Sequence, residues 1–331
     1  MTQTEPPALP ANPAIPSRGA GRASNANSVA GVAGFGLTAL FFIAARAPWV
    51  LRLIRPIAVR LAITFSKTIS PNLSDNARRI FGRELSPREH RAFVRAVVAN
   101  FYDFVIDVGR SSRQSAQQLL DRIESVEGIE GFHTARARQR GALFVTAHMG
   151  AFEVGLAALR QWEPKVHVVF KRDPFSGFER IRTRVREMLG VIEQPIDDGF
   201  TSLVRLRDAL NANEVVVMQA DRAMPGQRSQ AVPFLYGHLC LPLGPVKLAQ
   251  LTGSPIIPVF LVRGHCGGFC VHLADAIDVD PAADVVDGID PALRAIGRTI
   301  ESFVARFPEQ WLVLNRVFVE DAVVDGAGRA D

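Results

Sequence analysis

The chain has 331 residues, 48% of them hydrophobic, and a formal net charge of +5. That is enough for one large domain or two modest ones with a sizeable core. Arg18, Arg22, Arg46, Arg52, Arg55, Arg60 and Lys67 face Glu5 alone in the first 67 positions, so the rest of the chain is close to neutral. The basic excess sits beside the most hydrophobic stretch, which suits an anionic membrane surface and argues against a nucleic-acid partner.

Residues 1–27 are rich in Pro, Ala, Asn, Ser and Gly without periodicity and are expected to form a disordered tail. Val29 to Ala45 carries no charge. Its length is at the lower limit for a bilayer span of about 17 residues. A cleaved signal peptide is the alternative, disfavoured by the long preceding region and the apolar, basic segment that follows. That segment, Pro48 to Lys67, places Arg52, Arg55, Arg60 and Lys67 on one arc of a helix and Leu, Ile, Val and Phe on the rest, with a kink expected at Pro56. A cationic stripe on an apolar helix describes an element lying in the headgroup region, with a core helix as the alternative. Residues 28–68 are therefore expected to span or lie on the membrane.

Residues 69–125 read as a helical region. Ser86-Pro87-Arg88-Glu89 marks a helix start, with Ser as N-cap and Pro in the first turn. From about 126 to 318 strand-like runs alternate with helical ones. The strands are expected at 142–147, 166–170, 214–220, 255–262, 269–274 and 311–315. The helices are expected near 151–162, 176–189, 200–212, 245–252 and 289–306. Such alternation predicts an α/β fold with a mixed, largely parallel sheet flanked by helices. The last residues, 319–331, read as a tail.

Cys240, Cys266 and Cys270 are odd in number, and the last two are spaced C-x-x-x-C. They read as reduced thiols in a cytosolic setting. His265 and His272 lie nearby without finger-like spacing, so neither a metal nor a cofactor is expected.

Three polar clusters follow expected strands, where active sites of open α/β sheets gather. His148 ends the run ALFVTAH, and Glu153 lies five residues on. In one continuous helix the two would be roughly 140° apart. They can meet if His148 ends the strand, Gly150 relaxes the turn and Glu153 opens the next helix. The pair would then be a base and its orienting carboxylate; a structural histidine is the alternative. Asp221-Arg222 follows the run EVVVMQA, and Lys171-Arg172-Asp173 follows VHVVF. Arg222 could hold a phosphate or carboxylate and Asp221 a sugar or amine, against the plainer reading of a surface ion pair.

Over roughly residues 125–315 these pieces, in order, resemble the lipid A biosynthesis lauroyl/myristoyl acyltransferases, a branch of the lysophospholipid acyltransferase superfamily. The resemblance rests on VEGIEGFHTARARQRGALFVTAHMGAFE, KRDP, QADRAMPGQRSQAVPFLYGHLCLPLGPVKLAQLTGSPIIPVF and FPEQWLVLNRVF. It implies that His148 is a general base with Glu153 as charge partner, and that Arg172, Asp221 and Arg222 bind substrate. It also implies an acyl carrier protein or coenzyme A thioester donor, a lipid or glycolipid acceptor, and a catalytic domain on the cytoplasmic side of the bacterial inner membrane. Three departures bear on the acceptor. Ala151 stands where Asn is frequent, a second family arginine falls near Val191, and Asp221-Arg222-Ala223 replaces Asp-x-Asp-Tyr-Gly. They fit a relative acting on another glycolipid, as some actinobacterial mannoside acyltransferases do. Two alternatives remain: a glycerophospholipid acyltransferase, whose N-H-x-S-x-x-D block is missing, and an inactive lipid-binding protein.

Overall fold

The computed structural model describes residues 40–172, 176–224 and 226–319. The expected N-terminal tail, the start of the uncharged run and nearly all of the C-terminal tail lie outside these residues.

Helical turns at 40–46 lead into α1 (Pro48–Phe65), which continues through Pro56. It is followed by α2 (Ile69–Phe81) and α3 (Pro87–Ser111). The start of α3 is a full capping box: Ser86 Oγ accepts from the Glu89 amide, and the Glu89 carboxylate accepts from the Ser86 amide. Tyr102 donates its hydroxyl to the Leu51 carbonyl, and Arg55 makes a two-pronged pair with Asp103. These contacts clamp α1 along α3, the two running antiparallel. Leu51 and Val59 of α1 are buried, while Trp49, Leu53, Ile57 and Phe65 are 64–78% exposed. No described helix is long and apolar enough to cross a membrane.

The rest of the chain supplies β1 (Ile123–Glu127), β2 (Ala142–Thr146), β3 (Val166–Phe170), β4 (Ile192–Pro195), β5 (Val215–Gln219), β8 (Ile256–Arg263) and β9 (Phe269–Leu273) to one sheet. Its order is β1-β9-β8-β2-β5-β3-β4. From β8 to β4 all neighbours are parallel; β9 runs against β8 and carries β1 parallel to itself. The expected largely parallel, mixed sheet is the one found.

Period-two side chains build a core on each face. Leu143, Val145, Val216, Met218 and Ile256 point to one side, where α8 (Phe200–Asn211), α9 (Gly244–Thr252) and α10 (Pro291–Arg306) pack with α3. Ala142, Phe144, Val215, Val217 and Ile257 point to the other, against α4 (Ala116–Leu120), α5 (Ile129–Ala137), α6 (Phe152–Trp162) and α7 (Ser176–Leu189).

Two expectations need correction. The helical region does not reach 125, because Ile123–Glu127 is an edge strand with a half-exposed, mostly polar face that hides its period. The run 311–315 is no strand. Trp311 makes a single bridge to Met149, and Leu312 donates to the His148 carbonyl, so this segment is a strap across the ends of the strands. Val232-Pro233-Phe234 lies in a separate two-stranded hairpin, β6 (Ser229–Phe234) with β7 (Gly237–Pro242).

Candidate active site

β2, β5 and β3 are adjacent and parallel, so their carboxyl ends share one edge of the sheet. Each is followed by one of the three polar clusters. His148 comes two residues after β2, Asp221 and Arg222 come after β5, and Lys171 and Arg172 come after β3. A cavity of about 650 Å³ opens there, lined among others by His148, Lys171, Arg172, Arg182, Arg222 and Phe152.

His148 stands on a sharp turn between β2 and α6. Gly150 has a positive φ of 63°, and a Cβ there would lie 2.5 Å from the Leu261 carbonyl oxygen. Only glycine fits that backbone. The imidazole does not engage Glu153, the partner expected from the sequence. Its Nδ1 lies 2.7 Å from Asp221 Oδ1, and its own backbone N–H donates to Asp221 Oδ2 at 3.1 Å. Trp311 Nε1 donates to the same Oδ2 at 2.8 Å. Asp221 is completely buried. Burial opposes its ionisation, but His148 beside it and the hydrogen bonds from His148 and Trp311 outweigh that, holding the carboxyl at about 2.

The opposite ring nitrogen is also assigned by its neighbour. Arg222 Nη2 lies 3.2 Å from His148 Nε2. A guanidinium can only donate, so Nε2 presents a lone pair and Nδ1 carries the proton given to Asp221. The ring is held in its Nδ1–H tautomer, with Nε2 toward the cavity and the side chain 25% exposed.

The other expected site residues fall as follows. Asp221 is sealed beneath the histidine, so it cannot touch an acceptor headgroup. Arg222 and Arg172 both line the cavity. Arg172 is pinned by the loop after β4: its amide donates to Asp197 and its guanidinium to Asp198. Glu153 opens α6 as expected but is 2% exposed and faces Arg182 of α7, with Arg182 Nε 3.5 Å from its Oε1. No hydrogen bond joins Glu153 to His148 among the described residues. The geometry of the turn explains this: His148 points toward β5, while Glu153, inside the first turn of α6, points toward α7.

Two residues escaped the sequence reading. Trp311 lies on the Pro-Glu-Gln-Trp segment, which the resemblance flagged but which was read as a strand. Arg182 is one of several alternating arginines in Glu179-Arg180-Ile181-Arg182-Thr183-Arg184, a pattern that does not reveal which one faces the site.

The amino end of α6 adds a further feature. Its N-cap is Ala151, with no side-chain cap, and the first amides of a helix have no partner inside it. Phe152, at that end, separates the cavity from an apolar cleft lined by Phe132, Phe144, Leu156, Trp162 and Leu261.

Against known proteins, residues 27–319 match the family described as bacterial lipid A biosynthesis acyltransferase. The chain is similar to the phosphatidylinositol mannoside acyltransferase of Mycobacterium tuberculosis (strain ATCC 25618 / H37Rv), 27% identical over 213 residues, which cover 63% of each chain. It is similar too to the protein of that name from Mycolicibacterium smegmatis (strain ATCC 700084 / mc(2)155), 24% identical over 232 residues, 69% of this chain and 73% of the relative. The aligned part thus spans somewhat less than two thirds of the Mycobacterium tuberculosis relative's length. With its family matched over nearly the whole sequence, this chain belongs to the bacterial lipid A biosynthesis acyltransferases.

Proposed function

We propose that the protein transfers a fatty acyl group from a thioester donor to a hydroxyl of a glycolipid, with His148 as general base. The observation that carries this reading is the fixed tautomer: Asp221 takes the Nδ1 proton, and Nε2 faces a cationic cavity with its lone pair. Nε2 removes the acceptor's hydroxyl proton as the oxygen attacks the thioester carbonyl. The tetrahedral oxyanion is stabilised by the open amides at the start of α6. The C–S bond then breaks, and the proton on Nε2 passes to the departing thiolate. The ring returns to its starting state without a covalent acyl-enzyme. Asp221 orients the ring and stabilises the imidazolium, the part first expected of Glu153.

Arg222 occupies the nitrogen that the acceptor must reach. It has to swing off Nε2 when the hydroxyl arrives, and it then lies beside the reacting centre as a cation. Glu153 keeps a positioning part: its carboxylate faces Arg182 and sets that guanidinium in the cavity wall. Lys171, Arg172, Arg182 and Arg222 suit a phosphate-bearing acceptor or the phosphate of the donor's carrier. The cleft beyond Phe152 is apolar but holds only about 40 Å³, so Phe152 and its neighbours have to move apart before an acyl chain can enter it. Acyl carrier protein and coenzyme A both supply such a thioester. A lipid A precursor or a related mannoside glycolipid is the acceptor class, in keeping with the family and with the names of the relatives. The exposed apolar face of α1 supports attachment to a membrane surface, and the location in keeping with the family resemblance is the cytoplasmic face of the inner membrane.

The test is His148→Ala with a radiolabelled acyl thioester and a bacterial lipid extract. A loss of about 10²–10⁴-fold in transfer by a folded variant is expected. Undiminished transfer would end this reading.

A further inference from the structure

A second cavity, of about 370 Å³, lies far from His148 in the chain, along the seam between α1 and α3. Arg55 and Arg60 of α1 and Arg91 and Arg95 of α3 line it, with His90, and no carboxylate does. Arg55 is neutralised by Asp103. Arg60, Arg91 and Arg95 have no acidic partner among the described residues. His90 Nε2 is buried without a hydrogen-bond partner. The floor is apolar, formed by Val59, Ile63 and Val94. Three cations and an unsatisfied ring nitrogen around a greasy floor are the complement of an anionic group on a hydrocarbon stem.

The occupant's source follows from what adjoins the groove. At 100° per residue, the groove side of α1 ends near Arg60 and Thr64. The exposed apolar side begins there, carrying Leu53, Ile57, Leu61 and Phe65. A helix with that face buried about 5–10 Å into the headgroup/acyl boundary holds the groove at headgroup depth. A soluble phosphate would need the cations but not the apolar shoulder beside them. We infer that the groove between α1 and α3 binds the phosphate headgroup of an anionic phospholipid, fixing the protein's orientation on the membrane. The inference rests on the membrane-facing reading of α1 and not on the acyl-transfer reading.

The experiment is vesicle co-sedimentation of the full chain with phosphatidylcholine alone and with added phosphatidylglycerol. Wild type should bind the anionic vesicles more tightly. Arg60→Gln/Arg91→Gln/Arg95→Gln should lose at least about tenfold of that gain, with binding to phosphatidylcholine unchanged. Arg140→Gln/Arg207→Gln/Arg298→Gln removes the same charge from exposed positions elsewhere and should keep the gain. Equal losses in both triple variants would mean a diffuse field and overturn the site, as would wild-type binding by the groove variant. If the groove triple does not fold, the single variants decide by the same criterion. Inorganic phosphate at millimolar concentration should not displace the protein from anionic vesicles; displacement would point to a soluble anion and overturn the lipid assignment. Leu61→Ser/Phe65→Ser should weaken binding to both vesicle types; unchanged binding would remove the membrane orientation on which the site depends. Transfer activity on a detergent-dispersed acceptor should persist in the groove variant, which separates this site from the catalytic one.

Discussion

The cavity at the sheet edge and the groove between α1 and α3 are both cationic, and they are built in opposite ways. At the sheet edge the charge that holds the imidazole is buried and closed in: Asp221 is fully enclosed and hydrogen-bonded to His148 and Trp311. In the groove the charges stand at the surface, and three arginines lack a carboxylate partner among the described residues. Chemistry needs a ring held within tenths of an ångström, so its supports are desolvated and satisfied. Adhesion needs only charge at the right depth, so its groups remain solvated until the partner supplies the counter-charge. Removing a support should therefore damage the first region severely and hardly destabilise the second.

Asp221→Asn should break the first region most. Its amide no longer fixes the Nδ1–H tautomer, and transfer should fall about 10³–10⁴-fold with the fold retained. Steady-state transfer together with circular dichroism checks this, and a loss under tenfold would remove Asp221 from the mechanism. Trp311→Phe keeps the ring and deletes one donor to a buried carboxylate. It should cost about 1–3 kcal/mol in urea unfolding and roughly tenfold in transfer. Acid sharpens the same point. Asp221 is held at about 2 against an ordinary 3.8, so its contribution is complete above about pH 4 and is lost as pH falls toward 2. The unfolding free energy of wild type relative to Asp221→Asn should shrink by about 2 kcal/mol across that window. In the helical region, Arg55→Gln breaks a pair whose arginine is 37% exposed, and urea unfolding should register at most about 1 kcal/mol. Smallest of all, the groove triple variant should unfold within about 0.5 kcal/mol of wild type, since it removes no internal partner.

How far the sequence could be read depended on the range of each interaction. Ser86, Pro87 and Glu89 define a capping box within four residues, and it formed as those residue types predict. Strands such as ALFVT and VVVMQ are so uniformly buried that their apolar runs alone announced central strands. The edge strand Ile123–Glu127 was absorbed into a helical reading because its exposed side carries acids. His148 was found because it directly follows a strand. Its partner was misassigned to Glu153 because nearness in sequence was the only guide. Asp221 lies 73 residues away and meets it because β5 is hydrogen-bonded beside β2.

By itself the sequence determined the α/β class, most strand and helix positions, the family resemblance and the presence of polar clusters at three strand ends. These follow from local rules: burial period, capping, and the residues a turn can tolerate. Only the tertiary structure decided which carboxylate holds the imidazole, that Trp311 closes the pair, and that Glu153 serves Arg182 instead. Strand order and the path of the strap fix those contacts, and both arise from packing across the whole sheet, which no window of neighbouring residues contains.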